Sequence, residues 1–160
     1  MENLARIPLL ALLIQGLPEN IALVSLAFVL AKIPLQWKKI LFIAVVSVII
    51  AYFVRLLPIG FGIHTILIVE VLFLLLIKLG KATVINALRA SLISLVILTV
   101  VEMVCLNLIV YISGIPLETL FANTATRILV ALPQVVIISI IAIAIKKIPA
   151  RRQKPESLDY

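Results

Sequence analysis

Long apolar blocks alternate along this chain with short clusters of Pro, Gly and basic residues. A hydrocarbon core about 30 Å thick takes about 20 helical residues to cross, so blocks of this length with so few charges predict membrane-spanning helices. The first block, residues 4–31, is interrupted by Gly16-Leu17-Pro18-Glu19-Asn20. Pro near a first helical position followed by Glu suits a new helix start, because the missing N–H costs nothing there and the carboxylate faces the positive end of the helix dipole. The break therefore predicts two short helices in a tight, partly re-entrant hairpin, with one kinked helix as the alternative. The same interruption makes the block a poor secretory signal peptide.

Residues 32–39 form a basic loop in which Trp37 suits the headgroup region. The next span covers residues 40–57, turns at Pro58 to Gly62, and returns over 63–79 to a turn marked by Lys78, Gly80 and Lys81. Residues 82–113 would make a helix about 48 Å long at 1.5 Å per residue, more than one crossing needs. The sequence places the surplus at its start, where Arg89 can snorkel to water beside Asn86. Gly114-Ile115-Pro116 ends that helix, a loop runs to Arg127, and a last span covers 128–145 with Pro133 near its start. The expected fold is all-α: a polytopic membrane helix bundle over residues 1–147 with about six helices, the first two short and hairpin-like. Residues 148–160 form a basic tail too short to fold.

Composition agrees with this pattern. A chain of 160 residues that is 64% hydrophobic and 13% charged lacks the polar surface a soluble domain needs. The formal charge of +7 does not point to nucleic acid, because the basic residues sit at the ends of apolar blocks and in the tail rather than in an aromatic-lined stripe. Counted over alternate loops of a six-segment bundle, Arg6, Lys32, Lys38, Lys39, Lys78, Lys81 and the five basic residues of the tail share one side. By the positive-inside rule that side is the cytoplasm, and the protein is a multi-pass cell-membrane protein with a cytoplasmic C-terminus.

Ionisable groups inside apolar blocks carry the chemistry. Glu70 lies about 10 Å and Glu102 about 16 Å in from the outer hairpin ends, at 1.5 Å per helical residue. A charge there costs at least ~2.5 kcal/mol unless it faces protein or trapped water. Arg55, His64, Asn107, Arg127 and Gln134 fall on the outer half of neighbouring spans. The functional reading is an outward-opening ligand pocket with Glu70 and Glu102 as its floor and Arg55, His64 and Arg127 as its rim. The structural reading is an intramembrane pair that holds a small bundle together.

Other chemistries find little support. His64 is the one histidine and Cys105 the one cysteine, so a multi-histidine metal site and an intrachain disulfide are excluded. Ser47, Ser91, Ser94 and Ser139 lie in apolar runs without a nucleophile elbow, and no Gly-rich phosphate loop or zinc spacing occurs. No cofactor, metal or catalytic residue is expected, and the chain reads as a non-enzyme.

Leu17-Pro18-Glu19-Asn20, Arg55-Leu56-Leu57-Pro58 and Phe61-Gly62-Ile63-His64 resemble the membrane-embedded sensor half of bacterial agr-type quorum-sensing histidine kinases. The resemblance implies six spans, a peptide signal bound on the outer side and signal transduction to the cytoplasm. The kinase's phospho-acceptor and ATP-binding motifs are not in this chain, so the output expected is a separate cytoplasmic kinase or regulator, with a homodimer as a further partner besides the lipid bilayer. In layout the chain is also similar to the substrate-binding S-components of energy-coupling-factor transporters, which would imply a transporter subunit as partner, and to the rod-shape protein MreD, a scaffold. As a test of topology, a membrane-impermeant thiol reagent applied from outside should modify a cysteine placed at Gly60 and spare one placed at Gln36; the reverse pattern would overturn the orientation.

Overall fold

A computed structural model describes residues 9–56, 61–116, 119–120 and 124–147, which form five helices and, among these residues, no strand. They are α1 (Leu9–Leu30), α2 (Trp37–Leu56), α3 (Phe61–Lys78), α4 (Val84–Ser113) and α5 (Thr124–Lys147). The tail 148–160 lies outside the described residues. By length and composition three helices can cross a membrane, through windows Trp37–Val54, Val84–Ser113 and Ile128–Lys147, and Gly16–Leu30 is a shorter apolar helical stretch. This is consistent with an integral membrane protein.

The first block corrects the expected count of about six helices with a short hairpin at the start. It is one helix of 22 residues with Pro18 inside. Proline removes one N–H and so leaves one carbonyl of the preceding turn without its usual donor, but the helix continues where packing and polar side chains hold the turns on either side. The Asn20 amide donates to the Gly16 carbonyl at 2.8 Å, and the Ser25 hydroxyl to the Ile21 carbonyl at 2.7 Å, so both side chains are satisfied within α1. Tertiary packing supplies the rest, because α1 lies against α2, α4 and α5.

That placement makes α1 the central helix. Val24, Leu26, Ala27 and Phe28 are fully buried and together cover more than half of its circumference. One core joins Leu23, Val24, Ala27 and Phe28 to Ile40, Ile43 and Ala44 of α2, Leu72 and Leu76 of α3, and Ala87 and Ala90 of α4. A second joins Ala22 and Leu26 to Ile138 and Ala142 of α5. The outer helices follow one another around α1, with α2 against α3, α3 against α4, and α4 against α5.

Small residues let α4 approach. Ala87, Ala90, Ser91 and Ser94 are buried in its first half, whereas Cys105 is the buried residue of its second. Close backbone approach at Ala and Ser is the usual device of membrane helix packing. The second half leaves Val100, Met103, Val104, Leu108, Tyr111 and Ile112 exposed. The first turns of α4 are thus anchored in the bundle, and it is the far end that stands away from it. Thr83 caps α4 by accepting from the Asn86 N–H, and Gly114 closes it in the left-handed conformation at φ 65°.

Two connections meet at one end of the bundle. Lys32 and Lys81 both adopt positive φ, at 58° and 59°, just past the ends of α1 and α3. The Ile33 N–H returns to the Phe28 carbonyl at 2.9 Å and the Ala82 N–H to the Leu76 carbonyl at 3.1 Å, so each loop folds back onto the helix it leaves. Gly80 is packed against the other loop: a Cβ there would meet the Leu76 carbonyl oxygen at 2.5 Å and Ile33 Cδ1 at 2.9 Å. Because the nearest atom is backbone, Gly80→Ala should destabilise the protein by about 1–3 kcal/mol. Reversible unfolding of the full chain in detergent measures this, and an unchanged midpoint would contradict the packing of the two loops.

Candidate functional site

The polar residues expected to form one pocket are distributed differently by the fold. Glu70 is exposed on α3, in a stripe with Ile66, Leu74 and Lys78. At 100° per residue this stripe lies across the helix from the buried Leu72 and Leu76. Glu102 is exposed on the second half of α4. Neither carboxylate has a hydrogen bond or ion pair among the described residues. Asn107 is also exposed, and its amide donates to the Met103 carbonyl one turn back at 2.7 Å. Arg55, His64 and Arg127 belong to α2, α3 and α5, and their side chains lie outside the described residues.

Gln134 alone of the described candidates turns inward, with 5% of its surface exposed. It continues the buried stripe of Ile138 and Ala142 one turn toward the start of α5. The helices joined by residues 31–36, 57–60 and 79–83 must reverse direction, because those connections are short. Residues 114–123 span at most about 35 Å when extended, too little to carry the chain back along α4, which is about 45 Å long. Thus α1 and α5 run in the same direction. With Ile138 and Ala142 clustered against Ala22 and Leu26, the next turn outward sets Gln134 at the level of Pro18 and Glu19.

Glu19 and Gln134 are each ten residues into their helices, about 15 Å along the axis. Ser47 and Ser94 are ten residues from the starts of α2 and α4, again about 15 Å, measured from the opposite end. Both hydroxyls are buried and have no hydrogen-bond partner, whereas Ser91 donates to the Leu88 carbonyl at 3.0 Å and Ser139 to the Val135 carbonyl at 2.8 Å. These four polar residues therefore form a layer at similar depth near the middle of a mostly apolar bundle. The Ser47 and Ser94 hydroxyls and the Gln134 amide can exchange hydrogen bonds with a polar ligand or with water. Leaving a buried hydroxyl unpaired costs about 1–3 kcal/mol, so such groups are rarely retained without a use.

Glu19 is the residue that sequence reasoning did not place. Reading Pro18 as a helix start put Glu19 in the first turn of a short helix, whereas the continuous helix, the alternative to the hairpin, puts it half-way along the central one. The signal was the span from 9 to 30, long enough for one crossing, combined with the tolerance of membrane helices for proline. Among the described residues no cluster of three His, Cys, Asp or Glu could hold a metal ion. A cavity of about 310 Å³ lies away from this layer, lined by Lys38, Lys39, Phe42 and Leu79.

Comparison with known proteins finds no family model, curated protein or solved structure that matches the chain. The reading therefore rests on the residues. In a Cys105→Ala background, paired substitutions Glu19→Cys and Gln134→Cys should cross-link with a short bifunctional thiol reagent, and Glu70→Cys with Gln134→Cys should not. Cross-linking of the second pair and not the first would show that the register of α1 and α5 is wrong.

Proposed function

We propose that this chain is a non-enzymatic sensor or regulatory module of the cell membrane, crossing it five times with its C-terminus in the cytoplasm. Five crossings place Lys32, Lys38, Lys39, Lys78, Lys81, Lys146, Lys147 and the basic tail on one side, and Arg6, Arg55 and Arg127 on the other. The charge asymmetry survives the change from six segments to five, because the merged first helix only moves the N-terminus and Arg6 outside.

The observation that carries the sensor reading is the set of buried polar side chains Ser47, Ser94 and Gln134, with the half-buried Glu19 at the same depth, in a bundle whose core is otherwise almost entirely apolar. Such groups are costly in a membrane protein and mark a site where polar contacts are exchanged. A signal arriving from outside would meet Arg55, His64 and Arg127 near the outer helix ends first. Glu70 and Glu102 face outward from α3 and α4, where in a bilayer an uncovered carboxylate costs at least ~2.5 kcal/mol, so they are the groups a bound ligand or a partner helix would cover. The resemblance to the sensor half of agr-type kinases supports the same class, with output through a separate cytoplasmic kinase or regulator.

Affinity capture of the full chain from its native membrane, with mild detergent and identification of co-purifying proteins, tests the class. A kinase or response regulator is expected. A transporter ATPase would favour a solute-binding subunit and cell-wall synthesis enzymes a scaffold, and either would sink the sensor reading.

A further inference from the structure

The end of the bundle where the α1–α2 and α3–α4 connections touch holds a cluster of charge that the sensor reading does not use. The cavity of about 310 Å³ sits here, between the first turns of α2, which supply Lys38, Lys39 and Phe42, and Leu79 just past α3. Its volume is at the low end for a ligand site, enough for a headgroup and the first carbons below it. Lys32, Lys78 and Lys81 lie at the same end of the bundle, and no acidic side chain occurs at this end among the described residues. Neither Lys38 nor Lys39 has a hydrogen bond or ion pair from its side chain among the described residues.

Charge placement makes the absence of a counter-ion consequential. Lys38 and Lys39 lie in the first turn of α2, where the helix dipole is positive and cations are disfavoured. Lys32 and Lys81 take left-handed positions that glycine or asparagine usually fills. Simple orientation of the protein would be served as well by lysines placed elsewhere in the loops. Trp37, next in the chain to Lys38, is 68% exposed, and an exposed tryptophan at a helix end marks headgroup depth. Below the lysines the wall turns apolar, with Phe42 at 58% exposure and Leu41 also exposed. The site is cationic at headgroup level and greasy beneath it.

We propose that this groove binds one anionic phospholipid, its phosphate against Lys38 and Lys39 and the upper part of an acyl chain against Phe42 and Leu79. Basic pockets between helices at a membrane surface recognise anionic headgroups in this way. The assignment does not depend on the sensor reading, and its test does not use any signal or output.

Trp37 is the one tryptophan, so its fluorescence reports this site alone. The full chain in detergent micelles is titrated with acyl-brominated phosphatidylglycerol or phosphatidylcholine, and quenching is followed. Saturable quenching by phosphatidylglycerol is expected at roughly thirtyfold lower mole fraction than by phosphatidylcholine, the effect of two lysines near the surface. Lys38→Gln with Lys39→Gln should bring the two lipids together, and each single change should shift the midpoint about fivefold. Lys146→Gln with Lys147→Gln, which removes equal charge from the same end, should leave the midpoint in place. Equal quenching by the two lipids in the unaltered protein overturns the site, as does an equal shift from the α5 pair, which would mean diffuse attraction only. The single substitutions, checked for unchanged helical circular dichroism, keep the test decisive if the double one does not fold.

Discussion

In a medium without water every backbone carbonyl must find its donor inside the protein, and the weakest point under that constraint is Pro18, half-way along the helix that all other packing uses. The proline withdraws one N–H from α1. Packing of α1 against three neighbouring helices holds the turns after the proline, and Asn20 and Ser25 satisfy their own polar groups on carbonyls of the same helix. Ala22, Leu23, Val24, Leu26, Ala27 and Phe28, at the centre of both apolar cores, follow within ten positions of Pro18.

Burial of α4 is uneven along its length, and that unevenness organises the rest. Toward the end where the Lys32 and Lys81 loops meet, α4 comes close through Ala87, Ala90, Ser91 and Ser94, and Gly80 lets one loop rest on Ile33 of the other. Toward the other end α4 presents most of its circumference to the surroundings, including Glu102 and Asn107. The polar layer of Glu19, Ser47, Ser94 and Gln134 lies between these two regimes.

Much of this was legible in the chain itself. Helix positions followed from apolar block length, since α2, α3, α4 and α5 begin and end within about four residues of the expected spans. The exception was the first block, where the local preference of Pro18 and Glu19 for a helix start competes with the burial of a whole helix, and burial is not visible in a single segment. Glu70 and Glu102 were legible as charges at mid-depth but not as outward-facing ones, because the face of a helix is set by its neighbours when every residue around it is apolar. Gln134 was found by the same depth argument and does point inward. Glu19 was hidden because the hairpin was preferred over the single helix that the first block forms.

Labelling of a cysteine placed at Glu19, in a Cys105→Ala background, tests the continuity of α1 most directly. The account predicts that a membrane-impermeant thiol reagent leaves this cysteine unmodified from either side of intact membranes and modifies it only after denaturation. Rapid modification from the outside, at the rate of a cysteine placed at Gly60, would mean that the first block turns at Pro18, and would contradict both the central helix and the polar layer built on it.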